Sequence, residues 1–237
     1  MINDKSISLC MVVSNDYHLA INAINSVKSI IDEVVIVDQS TDIENQKQFK
    51  EIADLYIHTT SKGNADFDRQ YCYMLAGREY ILAMDSDEIV LPEELEKFKQ
   101  IFEYQFELTW FLFRNLIRSN GICVDLKKFL QDDPHPRLWR KFVNVGGQLV
   151  PTVVWTQEAH QFPRFNTQKQ IYSNIWFDHN RELVDVINTH LRRGKNISPE
   201  ALQTEKNFIR SVLNEFGVEV KKDIVIKIPE LQRYLRN

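Results

Sequence analysis

Tyr80-Ile81-Leu82-Ala83-Met84-Asp85-Ser86-Asp87-Glu88 is an unbroken apolar run ending in two carboxylates one residue apart. Such a run reads as a strand buried on both faces, the pattern of a central parallel strand. Asp85 therefore stands where that strand meets its loop, and in open α/β sheets this edge is where ligands bind. Carboxylates on a strand tip are hard oxygen ligands on rigid backbone, suited to a divalent cation whose other ligands are diphosphate oxygens. The competing reading is a surface turn or a helix cap, both of which suit Asp. The buried strand in front of the triplet favours metal or diphosphate binding.

Upstream, strand and helix alternate. Ile7 to Val13 forms a first strand, and Asp16 is placed to cap a helix with Ile21, Ile24, Val27 and Ile31 at helical spacing. Val34 to Val37 is a second strand ending at Asp38, followed by the turn Gln39-Ser40-Thr41-Asp42 and a polar helix around Glu44 to Ala53. Leu55 to His58 is a short strand; a helix carrying Phe67, Tyr71, Met74 and Leu75 then leads into the strand that ends at Asp85. This βαβαβαβ order predicts a mainly parallel sheet with helices on both faces. It also brings Asn15-Asp16, Asp38 and Asp85 to one sheet edge, a polar row able to recognise a base and ribose.

Downstream the pattern is mixed. Pro92 begins a helix, with Glu93 and Glu94 at its positive end. Leu108 to Phe113, Leu138 to Val145 and Leu149 to Trp155 read as strands, and 181–193 and 199–216 as helices. No linker separates the halves, so residues 1–237 read as one domain, with the pattern changing near residue 90. Trp110-Phe111-Leu112-Phe113 has two readings, core packing and a sugar-stacking surface, of which packing is favoured.

Composition narrows the class. With 43% hydrophobic residues in 237 the chain can bury a full core, and its net charge of -4 provides no general attraction to nucleic acid. Cys10, Cys72 and Cys123 are odd in number and form no C-x-x-C, so reduced thiols and a cytoplasmic location are expected. The N-terminal residues lack a basic region, and Ile7 to Val13 is too short to span a bilayer, so any membrane contact is expected to be peripheral. Only seven glycines occur, with neither G-x-G-x-x-G nor G-x-x-x-x-G-K-[ST] among them. This argues against dinucleotide-fold dehydrogenases, P-loop NTPases and sugar-nucleotide pyrophosphorylases.

Four blocks in order, Ile7 to Asp16, Asp32 to Asp42, Asp68-Arg69-Gln70 and Tyr80 to Glu88, resemble glycosyltransferase family 2 with its GT-A fold. The likeness is to the branch containing lipopolysaccharide core and cell-wall glycosyltransferases. It implies an α/β GT-A fold, with a mainly parallel central sheet, helices on both faces and a mixed C-terminal half, residues 1–90 binding the nucleotide sugar and 91–237 facing the acceptor. It implies a nucleotide-diphosphate sugar as donor, a UDP-sugar foremost, and Mn²⁺ or Mg²⁺ as cofactor. Asp38 would read the base, Ser14, Asn15 and Asp16 would line the nucleotide pocket, and Asp85, Ser86 and Asp87 would flank the metal and diphosphate. Arg69 matches an Arg that lies near the sugar or diphosphate. Gln39 stands where a small residue is common, and Ser14 where a basic one is usual.

In the second half, Pro136 to Lys141 resembles the R-L-F-R strand of that branch; Glu158-Ala159-His160-Gln161 resembles its His-Glu pair, with Gln161 in place of the acid. Ile175 to His179 resembles a terminal segment ending in His. Arg137 and Arg140 are candidates to clamp phosphate, the alternative being a solvated strand face. His160 and His179 are candidates to complete the metal shell beside Asp85 and Asp87. For an inverting reaction, Asp132, Asp133 and Glu158 are the candidate bases for the acceptor hydroxyl.

The reading is thus a metal-dependent glycosyltransferase acting on an acceptor hydroxyl. Its rivals are a sugar nucleotidyltransferase and a non-catalytic sugar-nucleotide-binding protein. A glycan, a lipid-linked sugar and a hydroxylated nucleic-acid base all remain open as acceptor.

Overall fold

The computed structural model describes residues 4–60, 65–119, 122–125, 134–155, 163–182, 186, 207 and 209–213. Strand β1 (Ile7–Val13) is buried along nearly its whole length. Its side chains alternate: Ile7, Leu9, Met11 and Val13 enter one core and Cys10 the other. Helix α1 (Tyr17–Val27) lays Ala20, Ala23, Ile24 and Val27 on the first of these faces. β2 (Glu33–Asp38), α2 (Ile43–Ile52) and β3 (Leu55–His58) follow, with Phe49 of α2 on the same side as α1.

Helix α3 (Ala65–Leu75) covers the opposite face, inserting Cys72 and Tyr73 above Cys10 and Val35. The apolar residues of this helix do not all face the core. Phe67, Tyr71 and Met74 are exposed, while Asp68 and Cys72 are buried. Both sets have helical spacing, so periodicity alone cannot choose between them. Polar partners decide the rotation: Gln39 Nε2 donates to buried Asp68, and Arg69 reaches Asp85.

β4 (Tyr80–Ala83) completes the parallel part. β1 pairs in parallel with β2 and β4, and β2 with β3. After β5 (Glu88–Val90), α4 (Pro92–Ile101) buries Phe98 and Ile101 on the face of α1. β6 (Leu108–Ser119) and β7 (Ile122–Asp125) form an antiparallel pair, and β8 (His135–Arg140) runs antiparallel to both β4 and β6.

The remaining strands are β9 (Phe142–Val145), β10 (Gln148–Pro151), β11 (Val153–Val154), β12 (Arg164–Phe165) and β13 (Gln170–Glu182). The large sheet has the order β3-β2-β1-β4-β8-β6-β13-β5, with β7 on β6. This is the α/β arrangement implied by the resemblance: a parallel first half, a mixed second half and helices on both faces.

Two expected strands are each split. The first breaks at Lys141, where β8 leaves the main sheet; β9 then turns back on β10 through Gly146 and Gly147 at φ 59° and 87°, which suit a two-residue hairpin turn. The second breaks at buried Thr152, whose N–H donates to the Lys141 carbonyl rather than to a strand partner. Arg181 and Glu182, expected to open a helix, extend β13 instead.

The chain divides into two compact units: Met1–Phe113 with Asp133–Asp178, and Arg114–Asp132 with His179–Asn237. In the second, β7 pairs with the end of β6, and residues 207 and 209–213 are helical, within the expected second helix. No helix among the described residues is long and apolar enough to cross a membrane.

Candidate active site

Three parallel strands, β2, β1 and β4, end side by side in the first unit. At the end of β1, Asn15 adopts a left-handed conformation with φ 53° and ties down the loop after β2. Its N–H donates to Ser40 Oγ at 2.8 Å, and its Oδ1 accepts from the N–H groups of Thr41 and Asp42, both at 3.0 Å. Ser14 and Asn15 are exposed. Asp16 precedes α1 as expected, yet its carboxylate does not cap the helix. It accepts instead from the Ser14 N–H at 2.9 Å and from the Ser86 hydroxyl, which binds the strand-end triplet to β1. Burial above all pushes the Asp16 carboxyl up, and the charge of Asp87 adds to this; the bonds from Ser86 and Ser14 act the other way.

Asp38 is 0% exposed. One oxygen accepts from the Ser40 N–H at 2.7 Å and the other from the Tyr56 hydroxyl at 2.8 Å. Its carboxylate is therefore engaged within the fold rather than open to a base; its effect is to hold the Gln39–Asp42 turn, of which Thr41 and Asp42 are exposed. Burial first and then Asp38 push the Tyr56 phenol up, keeping it a hydrogen-bond donor.

At the end of β4, Asp85 is gripped from two sides. Arg69 of α3 donates to one oxygen at 3.0 Å and Arg137 of β8 to the other at 3.1 Å. Arg137 also pairs with Glu88, which is 1% exposed and accepts the Asp85 N–H at 3.0 Å through its second oxygen. Burial opposes the charge of Arg137, but Glu88 and then Asp85 outweigh it and keep the guanidinium protonated. For Arg69, burial is likewise outweighed by Asp85. Trp155 lies 5.3 Å from the Arg69 guanidinium and Phe113 lies 5.2 Å from that of Arg137, so each cation has an aromatic face beside it. A small cleft above β1 and β4 is lined by Val12, Arg69, Tyr73, Asp85 and Arg137, among others.

The formal charges decide what this edge can accept. Among the described residues, Arg69 and Arg137 pair with Asp85 and Glu88 at this edge, and Asp16 and Asp87 stand beside them as further carboxylates. A diphosphate would meet both these guanidiniums and these carboxylates, and a cation would offset the repulsion from the latter. Both oxygens of Asp85 accept from guanidiniums; half-buried Asp87, whose charge acts on Asp16, is a second carboxylate at this edge able to hold an ion. Among the described residues no cluster of three His, Cys, Asp or Glu side chains forms a closed metal site. One or two carboxylates completed by substrate phosphates is how Mg²⁺ is usually held, and the residues fit that pattern.

Of the other candidates, Arg140 is not brought to this edge. It pairs with Glu79 at 3.1 Å at the opposite end of β4, since β8 sets Arg140 beside Tyr80 and Leu138 beside Leu82. His179 belongs to the second unit, where its Nδ1 shares a 2.9 Å hydrogen bond with Asn115. Asp132, Asp133, Glu158 and His160 lie outside the described residues. Sequence reasoning missed Trp155, whose contact with Arg69 is non-local, and gave no role to Glu88. A fully apolar strand followed by three acids within four residues does signal that at least one acid needs a buried cation.

No family model matches this chain, and no curated protein does. Among solved structures it is similar to glucosyl-3-phosphoglycerate synthase from Mycobacterium tuberculosis, crystallised with Mn²⁺ and UDP-glucose. The TM-score is 0.39 at 14% identity, covering 47% of this chain and 44% of that one. The chain therefore matches less than half the length of that enzyme.

Proposed function

We propose that this protein is a glycosyltransferase moving a sugar from a nucleotide-diphosphate sugar, a UDP-sugar foremost, to an acceptor hydroxyl. The observation that supports it is the convergence of Arg69, Arg137, Asp85 and Asp87 on the end of one buried strand, next to two further strand ends that offer a polar loop. In this reading the Gln39–Asp42 turn, held by Asp38 and Asn15, borders the nucleoside. Arg69 and Arg137 exchange part of their bonding to Asp85 for diphosphate oxygens, so positive charge stands where negative charge grows as the glycosidic C–O bond breaks. Mn²⁺ or Mg²⁺, held by Asp87, would supply charge neutralisation of the leaving nucleoside diphosphate. Asp85 and Glu88 keep both guanidiniums aimed before the donor arrives. The base that takes the acceptor proton is sought among Asp132, Asp133 and Glu158.

The test is product release from a panel of nucleotide sugars with and without Mn²⁺. Nucleoside diphosphate released by the native chain and lost in Asp87→Asn supports the reading. Pyrophosphate release would replace it with a nucleotidyltransferase, and tight UDP binding with no turnover in any acceptor mixture would make the protein a sugar-nucleotide binder.

A further inference from the structure

Beyond the strand ends just described, β6, β12 and β13 build a second aromatic feature in the first unit. The Trp110 ring stacks on Tyr172 with centroids 5.6 Å apart and planes 13° from parallel, and Phe165 meets Trp110 edge-on at 5.4 Å. The indole is locked in place: its N–H donates to Gln170 Oε1 at 2.9 Å, and Gln170 Nε2 donates to the Thr167 carbonyl at 3.0 Å. Tyr172 rests one ring face on this support and is 71% exposed, so its other face meets solvent. Single exposed apolar residues are ordinary, but this ring is backed by an indole that is itself fixed by a hydrogen bond, and a pre-ordered support lowers the entropy cost of binding.

The neighbours narrow the occupant. Alternation along β13 sends Ile175 and Phe177 into the core and sets Gln170, Tyr172 and exposed Asn174 along the other face. An aromatic ring flanked by carboxamides matches a pyranose, which presents an apolar face of C–H groups and a rim of hydroxyls that both donate and accept. A lipid chain has no use for the amides. A phosphate-bearing ligand would want a cation, and Lys169 is paired with Glu107 at 3.5 Å.

Location points the same way. The order β4-β8-β6-β13 sets β13 three strands from the one ending at Asp85, a separation of about 14 Å at normal strand spacing. Aromatic side chains line the way between: Trp155 beside Arg69 follows β11, β11 pairs with β12 through Val153 and Phe165, and Phe165 touches Trp110. We propose that Tyr172, backed by Trp110 and flanked by Gln170 and Asn174, is a pyranose-binding subsite that holds a sugar of a carbohydrate acceptor remote from the reacting one. Sugar binding here stands by itself; the acceptor role rests on the glycosyltransferase reading.

The experiment is isothermal titration of the full chain with maltotriose, cellotriose, chitotriose, mannotriose and galactotriose. At least one is expected to bind, with Tyr172→Ala weakening it about tenfold and Tyr172→Phe changing it less than about twofold. Leu149→Ala, an exposed apolar change on β10, leaves binding unaltered. No binding at about 10 mM, or binding indifferent to Tyr172→Ala, overturns the proposal. So does Tyr172-dependent binding to phosphatidylcholine vesicles or Tyr172-dependent dimerisation in sedimentation. Trisaccharide binding without nucleoside-diphosphate release from any donor would leave the subsite standing and sink the acceptor role. Donor turnover without Tyr172-dependent sugar binding would sink the subsite and leave the glycosyltransferase reading standing.

Discussion

The two ends of β4 carry the same chemistry in different surroundings. At the carboxyl end, Arg137 pairs with Glu88 at 13% and 1% side-chain exposure; at the amino end, Arg140 pairs with Glu79 at 50% and 31%. One strand, β8, delivers both arginines, three residues apart. Water decides what each pair is worth. The exposed pair is screened and contributes little, whereas the enclosed one cannot lose a partner without leaving a buried charge. The sequence offered Arg137 and Arg140 as equals, and burial separates them.

The sharpest way to break this contrast is Glu88→Ala. It leaves Arg137 enclosed with only Asp85, and a loss of about 3–5 kcal/mol in urea unfolding is expected. A loss below about 1 kcal/mol would mean that the carboxyl end is solvated like the amino end. Next comes Asp87→Asn, which neutralises a carboxylate at the same end. Metal-stimulated donor turnover should fall by about 10²–10³, a scale typical of losing a charge-stabilising group. Turnover equal to wild type in this variant would remove the cation role from Asp87.

Tyr56→Phe tests the neighbouring strand end, where Asp38 is buried as deeply as Glu88 but is served by hydrogen bonds alone. Leaving one carboxylate oxygen unserved should cost about 1–3 kcal/mol in the same unfolding assay; no change would show that water reaches Asp38. The smallest effect is expected from Arg140→Ala, within about 0–1 kcal/mol and with donor turnover as in the native chain. A large loss of turnover would bring Arg140 back into the site and undo the comparison.

Much of the parallel half was legible because its signals are local. β1 and β3 fall on the residues expected, since a run of apolar side chains bounded by polar turns has one low-energy use in a chain of this kind. The mixed half was less so. Leu138 to Val145 is continuous in pattern, yet it divides at Lys141, because β8 pairs with β4 and β6 while β9 pairs with β10. Pairing partners lie far apart along the chain, and nothing local records them.

By itself, the sequence determined that Asp85 and Asp87 end a buried strand, and that Asp38 and Asn15 end its neighbours, because side-chain period and chain order are local properties. Only the tertiary structure decided which face of α3 is inward, which arginine of β8 reaches Asp85, and that Asp38 is sealed rather than open. Each of these depends on how far water reaches and on partners distant in sequence. Burial and pairing arise from the packed whole, so no stretch of residues read alone contains them.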